Sequence, residues 1–365
     1  MKILCVIDSL GSGGAQRQLV GLAKGFKEKG DDVSFLVYHN ENFFKNLLDE
    51  AGIQVNEIIE SNYLIRLYKM RKFIRKGTFD VVLSFLEAAN FICEISALPV
   101  RKWKLIVGER SANPDILKSI KLRFYRWFHF LADYVIANSL ENLKMVKKIN
   151  PLLPESKCKV ISNIVDLSQW KPSPEYRPLR HNSLKLLVAG THLFNKNLNG
   201  LIEGVNALDS NEKQKIIIDW YGKIGSDLSY KKGRDLITKY SLEKIFNFYP
   251  ETLDLPSKMQ EADVIGLFSF YEGLPNVVCE GMATGKPIIA SNVSDIPLLI
   301  SSQNGFICDP NDSKSITDAL KNSLTLSKTH LKQMGEASRN YAMVLFSRDI
   351  ILRKYNILMD SNEAH

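Results

Sequence analysis

Glu272 and Glu280 stand eight residues apart in the stretch Ser269-Phe270-Tyr271-Glu272-Gly273-Leu274-Pro275-Asn276-Val277-Val278-Cys279-Glu280-Gly281-Met282-Ala283-Thr284-Gly285-Lys286-Pro287. Carboxylates accept hydrogen bonds from sugar hydroxyls, and the first amides of a helix face an anionic or hydroxyl-rich ligand. The spacing alone does not separate that use from a helix cap plus one solvated Glu. Their placement adds information. The apolar run at 262–268 reads as a buried strand, and the polar loop after it ends at Pro275, a residue suited to the first turn of a helix. That helix is expected over 275–283, stopped by Gly285, with another buried strand at 287–290. Glu272 then lies on a loop at the carboxyl end of a strand, and Glu280 on the following helix. Open α/β sheets bind their ligands at that edge.

Three further segments sit at strand ends. The strand at 184–190 leads into Thr191-His192-Leu193-Phe194-Asn195-Lys196-Asn197, which offers the cation Lys196. The strand at 3–7 leads into Gly11-Ser12-Gly13-Gly14-Ala15-Gln16, where the backbone can approach phosphate oxygens at a helix start. Gln16 breaks the G-x-G-x-x-G spacing, which argues against an NAD-dependent dehydrogenase. The strand at 105–107 runs into Val107-Gly108-Glu109-Arg110-Ser111-Ala112-Asn113-Pro114, with two adjacent charges that read as readily as a surface ion pair.

The pattern Ser-x2-Glu-Gly-x-Pro-Asn-x3-Glu-x-Met-Ala-x-Gly-x-Pro-Ile over 269–288 resembles the signature of family 4 of the glycosyltransferases, retaining enzymes of the GT-B fold. The resemblance implies an α/β protein of two Rossmann-like domains with a cleft between them. It implies a nucleotide-sugar donor, expected to be UDP-linked, transfer with retention, and no metal or other cofactor. By resemblance Glu280 accepts from the ribose hydroxyls. Glu272 and the amides along Gly273, Leu274, Pro275 and Asn276 hold the hydroxyls of the transferred sugar. Lys196 matches the Lys of the family's Gly-Arg-x4-Lys-Asn segment, which holds the donor diphosphate. Thr191 stands where that segment has Arg, and His192 is a neighbour that could assist. The loop around Tyr249 is implied to frame the base, and the Gly13-Gly14 turn to offer the Gly14 amide to the β-phosphate.

Many relatives place a His on the first domain beside the sugar, but this chain has none between His39 and His129. The Glu109 segment instead looks like the Ser-Glu-Arg-Asn-x-Pro segment of a subgroup that extends polyprenyl-diphosphate-linked oligosaccharides. On that resemblance Arg110 grips the acceptor pyrophosphate, and Glu109 orients or deprotonates the acceptor hydroxyl. The implied partners are a nucleotide sugar and a lipid-linked glycan of O-antigen, capsule or similar polysaccharide. A nucleotide-sugar epimerase of the same fold is the alternative enzyme, and a basic nucleic-acid-binding protein the alternative from another class.

These residues need a frame, and the rest of the chain supplies its rhythm. Strand-like runs at 3–7, 33–38, 53–58, 81–85, 105–107, 134–137 and 158–162 alternate with helical segments. The alternation restarts at 184–190 and continues at 216–221, 245–249, 264–268 and 287–291. This is the pattern of parallel sheets with crossover helices. The expected division is a first domain over 1–168, a Pro-rich linker over 169–182, a second domain over 183–340, and a helical tail over 341–365 that crosses back to the first domain.

The net charge of +8 is concentrated: between residues 64 and 126 there are 14 Lys or Arg against 5 Asp or Glu. In and beside it, 66–76 and 116–132 each mix cations with aromatic residues at helical spacing, as in helices that lie in a membrane interface. The expected surface partner is anionic lipid rather than nucleic acid. The expected location is cytoplasmic, peripheral on the inner face of the membrane. The five cysteines show no C-x2-C pairing and read as reduced thiols. The amino terminus reads as a strand rather than a signal peptide, and no run approaches the roughly 18 apolar residues of a membrane span.

Overall fold

The computed structural model describes every residue except 112, 177, 180–182 and 362–365. Ala112, part of the expected linker and the end of the tail therefore lie outside the described residues. The chain forms two compact units, one of residues 1–164 with 348–365, the other of residues 165–347.

The first unit holds seven parallel strands: β1 (Lys2–Val6), β2 (Asp32–Val37), β3 (Gln54–Glu57), β4 (Val81–Phe85), β5 (Lys104–Glu109), β6 (Tyr134–Ala137) and β7 (Cys158–Val160), in the order β3-β2-β1-β4-β5-β6-β7. The second holds six: β8 (Leu184–Ala189), β9 (Ile216–Tyr221), β10 (Phe246–Tyr249), β11 (Val264–Leu267), β12 (Ile288–Ser291) and β13 (Gly305–Cys308), in the order β10-β9-β8-β11-β12-β13. Helices cover both faces of such sheets, so inner strands read as continuous apolar runs; all five residues of β4 are buried. The expected α/β class holds, with two Rossmann-like sheets. β13 escapes the sequence reading because its four residues carry no run longer than Phe306-Ile307-Cys308.

Three local differences matter. The tail is two helices, Lys328–Leu345 and Arg348–Asp360, separated where Ser347 bridges to Val165 and the Val165 amide donates to the Phe346 carbonyl at 3.0 Å. Ile351, Leu352 and Tyr355 of the second helix are buried in the first unit's core. Ile351 and Leu352 each contribute about 1.5–3 kcal/mol there. Residues around the expected linker pack into the second unit: Trp170 is buried in its core, and Arg339 donates to the Trp170 carbonyl at 2.7 Å.

The third difference corrects the expected helix over 116–132. A 3-10 turn (Pro114–Leu117) ends at Lys118, Ser119 caps a short α-helix (Ile120–Trp127) by accepting from the Leu122 amide, and a second 3-10 turn follows (Phe128–Leu131). Arg126, one of the cations expected to face a membrane interface, is 1% exposed. Other cations of the basic region are also engaged internally. Arg71 and Arg75 donate to carbonyls at the end of the Glu87–Ser96 helix, Arg101 pairs with Asp133 at 2.6 Å, and Lys104 binds carbonyls of the terminal helix. All five cysteines are free and buried, and no helix among the described residues is long and apolar enough to cross a membrane.

Candidate active site

In the second unit the strand order reverses between β8 and β11, so the crevice beyond their carboxyl ends is the expected ligand site. Sequence supplies both walls. After β8, a 3-10 turn (Phe194–Lys196) precedes Asn197, whose left-handed conformation (φ 56°) closes the turn. The Asn197 side chain accepts from the Gly200 amide at 3.1 Å and caps the next helix. After β11, the loop leads to Pro275, the N-cap of the Asn276–Ala283 helix; Gly285 (φ 72°) ends that helix in a conformation glycine favours.

The two walls are fastened together. The Phe270 amide donates to the Asn195 carbonyl at 2.8 Å, and the Phe194 and Phe270 rings stack with centroids 5.1 Å apart. Lys196 Nζ meets Glu272 Oε1 at 2.5 Å, and Ser269 Oγ donates to the same oxygen at 2.7 Å. The ion pair keeps some exposure, 22% for the Lys side chain and 13% for the Glu. A ligand can therefore reach both. Ser294 Oγ donates to the Gly273 carbonyl at 2.6 Å and steadies the loop from 21 residues downstream. The sequence offered no signal for Ser294. Glu280 is 3% exposed on the Asn276–Ala283 helix. Pro275 has no N–H, so the donors of this corner are the amides of Gly273, Leu274 and the helix start.

Thr191 lies half-buried just past β8. His192 does not act as a second cation beside it. Its ring sits among Trp220, Tyr230 and Phe248 at centroid distances of 5.0–5.3 Å, and burial pushes its pKa down to about 4. It is neutral at pH 7. Tyr249, at the end of β10, stacks on Tyr221 at 4.7 Å and remains 39% exposed.

In the first unit the Gly14–Glu28 helix begins directly after β1's loop, with Gly13 as N-cap. A Cβ on Gly13 would come within 2.2 Å of Gln16 Oε1, and the Gln16 amide is held by Asp8 at 2.7 Å. Glu109 and Arg110 are not paired with each other. Arg110 donates to the Tyr355 hydroxyl at 2.6 Å and lies over the Phe85 ring at 3.9 Å.

Glu109 is 2% exposed, with one carboxylate oxygen on Arg126 at 2.6 Å and the other on His129 at 3.1 Å. Its expected role in orienting or deprotonating an acceptor hydroxyl gives way to a positioning one. A base must reach the proton it takes, and both Glu109 oxygens are engaged by Arg126 and His129. Burial alone would raise its pKa, but Arg126 and His129 outweigh that and hold it at about 2, too low for a base at neutral pH. The cluster extends to Glu94, bonded to His129 Nδ1 at 2.6 Å, and to Glu87, 3.3 Å from Arg126.

Comparison with known proteins agrees with this architecture. An Anabaena protein, Alr3699/HepE, solved in complex with UDP and glucose, superposes with a TM-score of 0.86 at 20% identity, covering 98% of each chain. Fold and site together define a GT-B glycosyltransferase. More narrowly, residues 12–169 match the Glycosyltransferase Family 4 model and residues 173–341 that of the glycosyl transferases group 1, and the chain belongs to family 4. Two relatives act on lipid-linked glycans. A Campylobacter jejuni GalNAc-alpha-(1->4)-GalNAc-alpha-(1->3)-diNAcBac-PP-undecaprenol alpha-1,4-N-acetyl-D-galactosaminyltransferase is 27% identical over 77% of each chain. An Escherichia coli UDP-Gal:alpha-D-GlcNAc-diphosphoundecaprenol alpha-1,3-galactosyltransferase is 27% identical over 80% of this chain and 77% of its own.

Proposed function

We propose that this glycosyltransferase moves a hexose or N-acetylhexosamine from a UDP-linked donor, with retention, to a polyprenyl-diphosphate-linked glycan in bacterial surface-polysaccharide synthesis. The observation that carries the donor half is the Lys196–Glu272 pair at the β8/β11 switch point, beside the start of the Asn276–Ala283 helix. A diphosphate entering there meets Lys196 and the helix's first amides, and the sugar's hydroxyls meet Glu272, held ready by Ser269. As the sugar–phosphate bond breaks, charge grows on the β-phosphate, and fixed donors with Lys196 stabilise it without a metal ion. Glu280 takes the ribose hydroxyls. The lipid-linked acceptor is supported by the two relatives' substrates and by Arg110, whose guanidinium Tyr355 and Phe85 hold in place.

Glu280→Ala is expected to weaken UDP binding about ten- to a hundredfold, because a charge-assisted bond contributes about 1.5–3 kcal/mol. Calorimetry checks it, with circular dichroism to show that the variant is folded. Unchanged affinity in a folded variant would remove the ribose assignment.

The same reading has the first unit rest on anionic lipid. Leu64, Ile65 and Tyr68 of the Tyr63–Lys76 helix are exposed, as are Ile120, Phe124 and Trp127, and Tyr63 and Tyr125 hydroxyls lie 3.5 Å apart. Lys118, Lys121 and Arg123 are solvated beside them, whereas Arg126 points inward and Phe128 packs edge-on to Phe91 at 5.0 Å. Each basic residue near the surface contributes about 1 kcal/mol. Reversing Lys118, Lys121 and Arg123 to Glu should therefore release the protein from phosphatidylglycerol vesicles in co-sedimentation. Turnover on a soluble short-chain acceptor should persist. Wild-type protein that stays in the supernatant at low salt would leave these helices as ordinary packing.

A further inference from the structure

We propose that Lys223 supplies the second cation of the donor diphosphate site, in place of the Arg that this chain lacks at position 191. The inference rests on the reading of the second unit as the donor-binding one. It comes from the register of β8 against β9. Ala189 pairs with Tyr221 inside the sheet, and beyond its edge His192 bridges to Ile224, an offset of 32 residues in both cases. Lys223 is therefore the lateral partner of Thr191. Residues in register on neighbouring parallel strands lie about 4.8 Å apart and send their side chains to the same face. A cation at 223 thus stands one strand spacing from where a cation at 191 would be.

The two segments are held tightly past the end of the sheet. The His192 amide donates to the Lys223 carbonyl at 2.9 Å, and the Gly225 amide to the His192 carbonyl at 3.2 Å. Gly222 comes so near that a Cβ would lie 2.0 Å from the Gly190 carbonyl oxygen. On the other side, Lys196 Cε lies 3.4 Å from where a Cβ on Gly190 would be, so Lys196 borders the same turn. The Lys223 side chain is exposed, and no described residue forms an ion pair with it. Asp227, the acidic group of its own loop, is occupied by the Phe194 and Ser229 amides at 2.8 and 2.9 Å. Thr191 is short and neutral, and His192 is buried and neutral, so neither fills the role. A Lys on a flexible stem meets a diphosphate as a point charge, without the paired geometry of Arg.

The test is calorimetry with UDP and with UMP, which lacks the β-phosphate, on wild type, Lys223→Ala, Lys223→Ala with Thr191→Arg, and Lys196→Ala. Lys223→Ala should weaken UDP about tenfold, leave UMP within about twofold, and recover UDP affinity when Thr191→Arg is added. Unchanged UDP affinity in Lys223→Ala, with Lys196→Ala weakened, overturns the role of Lys223 and leaves the donor site standing. Equal loss for UDP and UMP overturns it as well, since the contact would then not be with the β-phosphate. If both single variants bind UDP like wild type, or if wild type binds none of UDP, GDP and ADP, the donor-site reading fails and this inference with it.

Discussion

Lys196→Ala is expected to lower turnover about a hundred- to a thousandfold, the loss seen when one preorganised donor to a developing oxyanion is removed. Ground-state affinity for UDP should fall less, about tenfold, because the charge that Lys196 meets is greatest in the transition state. The paired geometry adds a second expectation. Glu272 keeps its bond from Ser269 Oγ at 2.7 Å when the Lys is removed, so the loop should remain ordered and the variant should fold. Single-turnover kinetics with saturating donor separate the two effects. Normal turnover in the folded variant would mean that Thr191, Lys223 and the helix amides hold the diphosphate unaided, and the central role given to Lys196 would be lost.

The largest expected effect on stability comes from the buried cluster of the first unit. Arg126→Leu removes the cation between Glu109 and Glu87 and leaves Glu109 as a closed-in charge with His129 alone. Breaking a buried pair by removing one partner costs about 3–5 kcal/mol, whereas replacing the whole pair by apolar groups is often near neutral. Urea denaturation should therefore show Arg126→Leu well below wild type, with Glu109→Leu added in the same chain restoring part of the loss. A surface role for Arg126 predicts less than about 1 kcal/mol and no restoration.

His129 gives the same cluster a pH signature. Burial alone lowers its pKa, but Glu94 and Glu109 together raise it to about 9. Since the folded value lies above the unfolded one of about 6.5, the stability it adds is full below pH 6.5 and is lost as pH rises through 9. His129→Gln should flatten that part of the stability profile.

Much of the candidate site was legible in the sequence because its information is local. The apolar runs before Gly190 and Ser269 fix two buried strands, and the residues following each strand must emerge at its carboxyl end. Lys196, Glu272 and the Asn276–Ala283 helix are thus placed at one sheet edge by chain order and strand direction. That Lys196 and Glu272 touch was not legible, since it depends on β8 and β11 lying side by side, 76 residues apart in sequence. The register that sets Lys223 beside Thr191 is of the same kind.

The first unit shows the limit more sharply. Arg123 and Arg126 look alike in a basic aromatic segment, yet one is solvated and the other is 1% exposed. Helical phase alone does not choose between them. The choice is made by Glu109 at the end of β5 and Glu87 on the helix after β4, which only the packed fold brings together. Glu109 is adjacent in sequence to Arg110, but alternation along an extended strand sends the two side chains apart, one into the cluster and one toward Tyr355. Sequence determined the elements, their order and the residues offered at their ends. Tertiary structure decided which of those charges meet each other inside the protein and which remain for a ligand, because burial and pairing are properties of neighbours distant in the chain.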